Sequence, residues 1–587
     1  MTAGHHHTAH QHHRTDRHLA GVASPGRLGQ GQAHGLVVVH RRRRYRVVRR
    51  PTVRDIMRLP SWLETRAGRR YAAGIGTVLV LAVVLRGVHL GTGLPSLLAP
   101  DESTVMGRAR ALLDGTTVSD FDWPPASMYL LAGLLRLAEV VWPGALTSAG
   151  GPYLFARIAF VALAVLSVAA AIAVGHRLAD PGRERLTGLA TGTLLAVSYL
   201  SVRLSRQVHP EHLQVLAVLI GFLLLLRFDS TRRIRWLVAA GALAGLAAAT
   251  KYAGGALALP AVAAVVFFGG SPWGTKARQL AALGVGVVGG IIAGAPLILS
   301  QAGDVWAGVR FQFGHQAGGH LGYDQPAPSY GFHLLHSLPG NWGWPVTVLA
   351  VVGMALVVAR GTRAQRLGAL LGGSFFVVLG ASGVRFPHYM VPALPFLGAL
   401  AVVAAGRALA RLDDRVAMAG ALALAVSVAP AALNDLRLIR TAGAQDTRLV
   451  AAAIVSRLPE PVLAERYATP EAGGSLGDQP DAPACDCFVA ISSYMEQRYR
   501  REPDRYAAAV AVYNRLRAQG RVVAEIAPSR PLRYDWDVLP EWGLGRTPLL
   551  GEVGRTGPTV TILDLRTAPG GGAEQAPPPQ SGGGSGI

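Results

Sequence analysis

The chain has 587 residues, of which 50% are hydrophobic and 16% charged, with 71 glycines and a formal net charge of +22. Soluble domains are about a quarter charged, so the composition excludes one large soluble protein. The long Ala/Val/Leu/Gly runs exclude disorder throughout, and the lack of a glycine period excludes a collagen-like repeat. What remains is a multi-pass α-helical membrane protein.

In chain order, residues 1–71 form a basic, His/Arg-rich segment with no apolar run long enough to span, read as a disordered cytoplasmic tail. No short apolar stretch with a cleavage site follows its first positive charges, so it is not a secretory signal peptide. Met57 offers a second start codon. From residue 72, apolar segments alternate with short connections, and spans are predicted near 72–90, 153–176, 186–203, 211–227, 235–250, 253–269, 279–300, 343–359, 367–383, 390–408 and 416–433. Residues 127–142 are also apolar but carry Arg136 and Glu139, each of which costs roughly 2.5–3.5 kcal/mol at mid-membrane. If this segment lies along the membrane, the turns holding Arg177/Arg183/Arg185, Arg227/Arg232/Arg233/Arg235, Lys276/Arg278, Arg360/Arg363/Arg366 and Arg407/Arg411/Arg415 share the side of the basic N-terminus. Counting it as a span inverts all of them. The expectation is therefore about eleven spans over 72–433, an external loop 91–152 bearing an interfacial helix 127–142, and an external C-terminus.

Residues 434–569 gain Asp, Glu, Gln and Pro. The stretches Cys487–Ile491 and Thr559–Leu563 read as strands, and Arg498–Gln519 carries apolar residues at helical spacing, which predicts a small external α/β domain. Residues 570–587, rich in Gly, Pro and Ser, read as a flexible tail. The arginine excess follows from topology together with codon bias, since only Lys251 and Lys276 are lysines, and it does not argue for nucleic-acid binding.

The segments placed outside are rich in Asp, His, Trp, Tyr and Pro. Asp101-Glu102 follows the first span, and the pair reads either as the acidic first turn of an interfacial helix or as catalytic carboxylates. Asp120 and Asp122 carry a weak metal-ligand spacing. Arg206, His209 and Glu211 lie at the junction of two spans, either as an Arg206–Glu211 ion pair across the turn or as part of a polar cavity wall. Lys251, between two Ala/Gly/Leu-rich spans, is a compact point charge suited to a phosphate, unless it is a chance survivor of codon drift. The string Arg385-Phe386-Pro387-His388-Tyr389, followed by Pro392 and Pro395, reads as a belt of interfacial anchors or as a distorted helix entrance lining a cavity. In loop 301–342 and at the start of the span after it, His315, His320, His333, His336, Tyr323, Tyr330, Trp342 and Trp344 fit sugar stacking, an interfacial belt or a metal site. Cys485 and Cys487 are too close in sequence for an unstrained disulfide and too few for a zinc site, so a free, transient or intermolecular role stays open.

Taken in order, Asp101-Glu102, Trp123-Pro124-Pro125, Tyr153–Arg157, Arg206…Glu211, Lys251-Tyr252, Arg385–Tyr389 and Ser492-Ser493-Tyr494 make the chain resemble the GT-C superfamily of membrane glycosyltransferases. It is most similar to the branch of the protein O-mannosyltransferases and lipid A aminoarabinose transferases. Glu211 stands where relatives often have Asp, and His388 where Arg is common. The resemblance implies a polyprenyl-phosphate sugar donor, an acceptor hydroxyl on a protein, lipid or polysaccharide, an active site on the external face of the plasma membrane, and no required cofactor. A divalent metal, used by some other GT-C enzymes, is generally dispensed with in this branch. On that reading Asp101 is the base, with Glu102 as its neighbour or substitute. Lys251, Arg385, His388 and Tyr389 bind the donor phosphate, and Arg206, His209, Glu211, Asp122 and His320 shape the sugar and acceptor pocket. The competing expectation is a transporter or lipid flippase built around the same cavity. It requires repeat symmetry and ionisable residues at mid-span, and no internal repeat is visible. A receptor or scaffold would leave Asp101 and Lys251 without purpose.

Overall fold

The computed structural model describes residues 65–116, 121–322, 327–459, 461–470, 472–478, 485–529 and 549–566. The expectations placed on the N-terminal tail up to residue 64, on Asp120 and Tyr323, and on the Gly/Pro/Ser tail lie outside those residues.

The chain opens with helix α1 (Arg66–Gly87), then α2 (Pro100–Leu113) and α3 (Ala126–Val141), and continues through α4 (Gly151–Leu178), α5 (Glu184–Ala196), α6 (Tyr199–Ser205) and α7 (Glu211–Thr231). Next come α8 (Ile234–Thr250), α9 (Ala258–Val266), α10 (Trp273–Gly294) and α11 (Ala302–Gly318). After an irregular helical stretch ending at Trp342 follow α12 (Trp344–Arg360), α13 (Arg363–Gly380), α14 (Leu394–Leu409) and α15 (Asp414–Ala442). Helix occupies most of each predicted span, and among the described residues five helices are long and apolar enough to cross a membrane: α1, α4, α7, α10 and α15.

Two helices depart from the expected bounds. The predicted span 186–203 is two helices, because the Ser198 side chain caps Ser201 N–H and also donates to Asn341 Oδ1 at 2.9 Å, restarting the helix after a break at Val197. The last helix runs past the expected boundary at 433 to Ala442 despite Pro430 in its interior.

Packing between the helices relies on small residues. On α8 and α10, a Cβ added to Gly241, Gly245, Gly286 or Gly290 would strike the backbone of the facing helix. Close approach of this kind replaces the hydrophobic drive that lipid surroundings remove. Helix α3 buries Met128, Leu131, Leu135 and Ala138 on one face and leaves Leu137, Val140 and Val141 exposed. Its buried face packs with Val105, Met106 and Ala109 of α2 and with Phe160 of α4. That cluster fixes the orientation of α2, whose first turn holds Asp101 and Glu102.

Beyond α15 lies α16 (Thr447–Val455), followed by a four-stranded sheet in the order β1-β2-β4-β3. Its strands are β1 (Val462–Ala464), β2 (Phe488–Ser492), β3 (Arg521–Ile526) and β4 (Val560–Asp564), with helices α17 (Ser493–Arg500) and α18 (Ala507–Gln519) after β2. Both strands expected from sequence are present and pair antiparallel, Val489 opposite Leu563; β1 joins β2 in parallel. Side chains alternate across the sheet. Val489, Ile491 and Leu563 face Tyr499, Val512, Tyr513 and Leu516 of α17 and α18, while Ala490, Ile562 and Ile526 face Ala451 of α16. The single helix expected over Arg498–Gln519 is divided, because Pro503 stands in the turn between α17 and α18. Cys485 and Cys487, whose state was open from sequence, are joined as a disulfide.

Candidate active site

Asp101 and Glu102 are neighbours in the first turn of α2, yet they meet opposite surroundings, since successive helical residues point about 100° apart. Glu102 is fully buried and takes a two-pronged bond from Arg157 of α4: Nε to Oε1 at 2.8 Å and Nη2 to Oε2 at 2.6 Å. The Val208 N–H adds a third bond, at 3.0 Å. Arg157 also donates to the carbonyls of Leu90 and Thr92, at 2.7 and 2.8 Å. Glu102 is thereby committed to tying α2, α4 and the 204–210 turn together.

The Asp101 side chain keeps 42% of its surface open, and its Oδ2 lies 3.5 Å from His209 Nε2. Burial raises its carboxyl, but the bond to His209 and the charges of His209, Lys251 and Arg203 outweigh that effect and hold it below the ordinary aspartate value. His209 Nδ1 in turn contacts Glu211 Oε2. Glu211, buried at the first turn of α7, also receives Lys251 Nζ on its other oxygen, and His388 Nε2 lies 4.0 Å from it. The Lys251 ammonium stands 5.5 Å above the Tyr389 ring, whose hydroxyl accepts a bond from Gln316 Nε2 of α11 at 3.0 Å. The expected residues Asp101, His209, Glu211, Lys251, His388 and Tyr389 therefore meet in one chain of contacts drawn from α2, α7, the end of α8 and the 385–390 turn.

Around that chain runs a series of touching rings. Trp123 meets His209, His209 meets His388, His388 stacks on Phe386, and Phe386 meets His320, with centroids 5.0–5.8 Å apart. His320 also feels the Asp101 charge, but its burial dominates and pushes its imidazole down to about 3, so it stays neutral. Among the described residues no group of three or more His, Cys, Asp or Glu side chains is placed to hold a metal ion.

Other expected residues are placed differently. Arg206 does not reach Glu211; its guanidinium donates to the carbonyls of Leu85, Arg86 and His89 at 3.2–3.3 Å, closing the end of α1. Asp122 pairs with Arg108 at 2.7 Å rather than facing the chain of contacts. Arg385 is half-buried, and its Nε has no hydrogen-bond partner among the described residues; no contact joins it to Lys251. Sequence reasoning missed Arg203 and Gln316 as neighbours of the site. Gln316 meets Tyr389 across 73 residues, so no local pattern marks it.

Comparison with known proteins places these features in context. Residues 124–298 match the family model described as dolichyl-phosphate-mannose-protein mannosyltransferase. The matched stretch holds Arg157, His209, Glu211 and Lys251 and leaves Asp101 and the 385–389 string outside it. This match bears out the resemblance to GT-C glycosyltransferases drawn from the motifs. No curated protein matches the chain. Similar solved structures include ArnT from Cupriavidus metallidurans bound to undecaprenyl phosphate, with 18% identity over 67% of this chain and 73% of that one and a TM-score of 0.44. The apo oligosaccharyltransferase of Archaeoglobus fulgidus has 12% identity over 80% and 75% of the two chains, with a TM-score of 0.48. The S. cerevisiae protein O-mannosyltransferase Pmt1-Pmt2 complex bound to the sugar donor has 18% identity over 42% and 35%, with a TM-score of 0.33.

Proposed function

We propose that the chain is an integral membrane glycosyltransferase that moves a sugar from a polyprenyl-phosphate donor to an acceptor hydroxyl, with inversion and a single carboxylate base. One observation carries the reading: of the three carboxylates at the site, only Asp101 is open to an incoming group. Glu102 is locked by Arg157, and Glu211 by Lys251 and His209.

An inverting displacement needs one base, to take the acceptor proton as the hydroxyl oxygen attacks the anomeric carbon. The bond that breaks releases a phosphate, already stable as an anion, so no second carboxylic acid is required. Positive charge beside the leaving oxygen is what helps. Lys251, held in place by Glu211 and Tyr389, supplies one such charge. Arg385, with a buried unpartnered Nε, supplies a second that is free to engage an anion. The neutral rings of His388, Phe386 and His320 provide a low-dielectric wall in which those charges act strongly.

In this reading the site lies on the external side. The amphipathic α3, 16 residues long and carrying the exposed Arg136–Glu139 pair, lies along the membrane. The charges of that pair, each costing roughly 2.5–3.5 kcal/mol at mid-membrane, keep it from crossing. The eleven remaining segments cross, which leaves the arginine-bearing turns cytoplasmic.

The test is Asp101→Asn in the full-length protein. Sugar transfer is expected to fall at least about a hundredfold while polyprenyl phosphate still binds. Undiminished transfer would remove Asp101 from the mechanism. The pH profile of kcat/KM, which reports the free enzyme, adds a second reading. A base acts only when deprotonated, and Asp101 titrates below the ordinary 3.8. The acid limb should accordingly begin below that value, and a limb centred near neutrality would point to a different base.

A further inference from the structure

The second lysine of the chain, Lys276, lies at a corner of the helices that the proposed chemistry does not use. Three cations from three elements converge there on the end of α9 and the linker after it. Lys276 of α10 donates to the carbonyl of Val266 at 2.9 Å. Arg363, the first residue of α13, donates to Ala264 O at 3.1 Å, and Arg232, just after α7, to Phe268 O at 3.3 Å. Two of these cations also sit on rings of the corner, Lys276 4.8 Å over Trp273 and Arg363 5.3 Å over Phe268. Phe267 and Trp273 themselves are 79% and 70% exposed.

Capping the end of α9 does not exhaust these charges. The N-terminal ends of α8 and α10, which start at this corner, offset the C-terminal ends of α7 and α9. One carboxylate, Asp229, pairs with Arg232 at 3.2 Å and with Arg363 at 2.5 Å and so offsets a single cation. About two positive charges are left over. Donors are left over as well. The Lys276 ammonium has three N–H groups, with Val266 O as the hydrogen-bond acceptor among the described residues, and the Arg232 side chain stays 36% exposed. Arg232 stands at φ 54°, in the left-handed region, where glycine is the usual cap of a helix. An arginine at that position carries backbone strain that glycine would avoid, and what it adds is the charge.

We infer that this corner binds the head group of an anionic phospholipid, with its phosphate on Lys276, Arg232 and Arg363 and its acyl chains along Phe267 and Trp273. A soluble phosphate would meet the cations alone. Two large exposed aromatics beside them favour a molecule with an apolar part, since rings and basic side chains gather together at the boundary between head groups and hydrocarbon. Basic pockets between spanning helices suit such head groups. The inference rests on the membrane class of the chain and stands apart from the reading of Asp101.

The experiment uses the purified full-length protein in detergent, supplied with phosphatidylglycerol, phosphatidylcholine or inorganic phosphate. Lipid retained on the protein is counted by native mass spectrometry, and the unfolding midpoint is followed in parallel. Phosphatidylglycerol is expected to be retained in preference to phosphatidylcholine and to raise the midpoint, whereas inorganic phosphate leaves it unchanged. Lys276→Gln keeps a donor for Val266 and removes the charge. It is expected to weaken phosphatidylglycerol binding about fivefold, the effect of one cation beside an anionic lipid, while Lys276→Arg binds as the parent does. Trp273→Ala, at an exposed position, is expected to weaken binding with its lipid-free midpoint unchanged. Arg310→Gln removes an exposed arginine of α11, outside the corner, and is expected to bind as the parent does. Equal retention of the two lipids by the parent overturns the inference, as does unchanged retention in both Lys276→Gln and Trp273→Ala. Equal losses from Arg310→Gln and Lys276→Gln would show an effect of overall charge and overturn the site. A midpoint raised as far by inorganic phosphate as by phosphatidylglycerol overturns the lipid as its occupant.

Discussion

At the scale of single residues, the site turns on the different fates of two adjacent acids. Glu102 resembles a catalytic carboxylate in sequence, but full burial against Arg157 makes it a structural tie. Removing one member of a buried pair leaves the other charge uncompensated, at a cost of about 3–5 kcal/mol. Glu102→Gln should therefore lower the unfolding midpoint in detergent markedly, and any loss of transfer should follow the loss of folded protein. A variant that keeps its midpoint and loses turnover would return Glu102 to the chemistry. Lys251 shows the reverse case. The sequence singled it out as one of two lysines in an arginine-rich chain, and the structure supplies the reason for its position, a contact with Glu211 forty residues away and a place above Tyr389.

At the scale of elements, local patterns marked the helices well and the breaks poorly. Apolar periodicity located α1, α4, α7 and α10 because a membrane segment must satisfy its own backbone hydrogen bonds, which leaves helix as the outcome. The break between α5 and α6 escaped notice because Ser198 finds its second partner, Asn341, across 143 residues. The division of α17 from α18 was legible in Pro503 and went unread. The seam between α8 and α10 offers a test at this scale. Gly290 faces the Ala242 backbone, where any side chain must push the helices apart. Overpacking in a tight core costs about 1–3 kcal/mol or more, so Gly290→Val should lower the unfolding midpoint, whereas Ala at Gly289, which faces open space, should be neutral. Equal effects from both would show that the seam is not closely packed.

At the scale of the whole molecule, orientation is the prediction. If α3 lies along the membrane, a reporter fused after residue 442 is active outside and one fused near residue 181 inside. An external signal at residue 181 would invert the assignment and move the proposed site to the opposite face. Hydrogen bonds of Arg448, Arg498 and Arg501 to the carbonyls of Leu98, Leu321 and Gly322, in the loops beside Asp101 and His320, belong to this scale too. They make the C-terminal domain a wall of the site, a relation that a reading of two separate domains in sequence did not contain.

Composition and apolar run length alone determined the membrane class, the order of the helices and the presence of two central strands, because these depend on neighbours within one turn or one strand. The residue types able to do the chemistry were visible as well: Asp101, His209, Glu211, Lys251, Arg385, His388 and Tyr389. Which of them are open and which are consumed was decided only by tertiary structure. Arg157 reaches Glu102 across 55 residues and Lys251 reaches Glu211 across 40, while Arg206 turns from its expected partner to the carbonyls at the end of α1. A charge taken from water goes to whichever partner the fold brings within bonding distance, and helix packing sets that distance independently of sequence spacing.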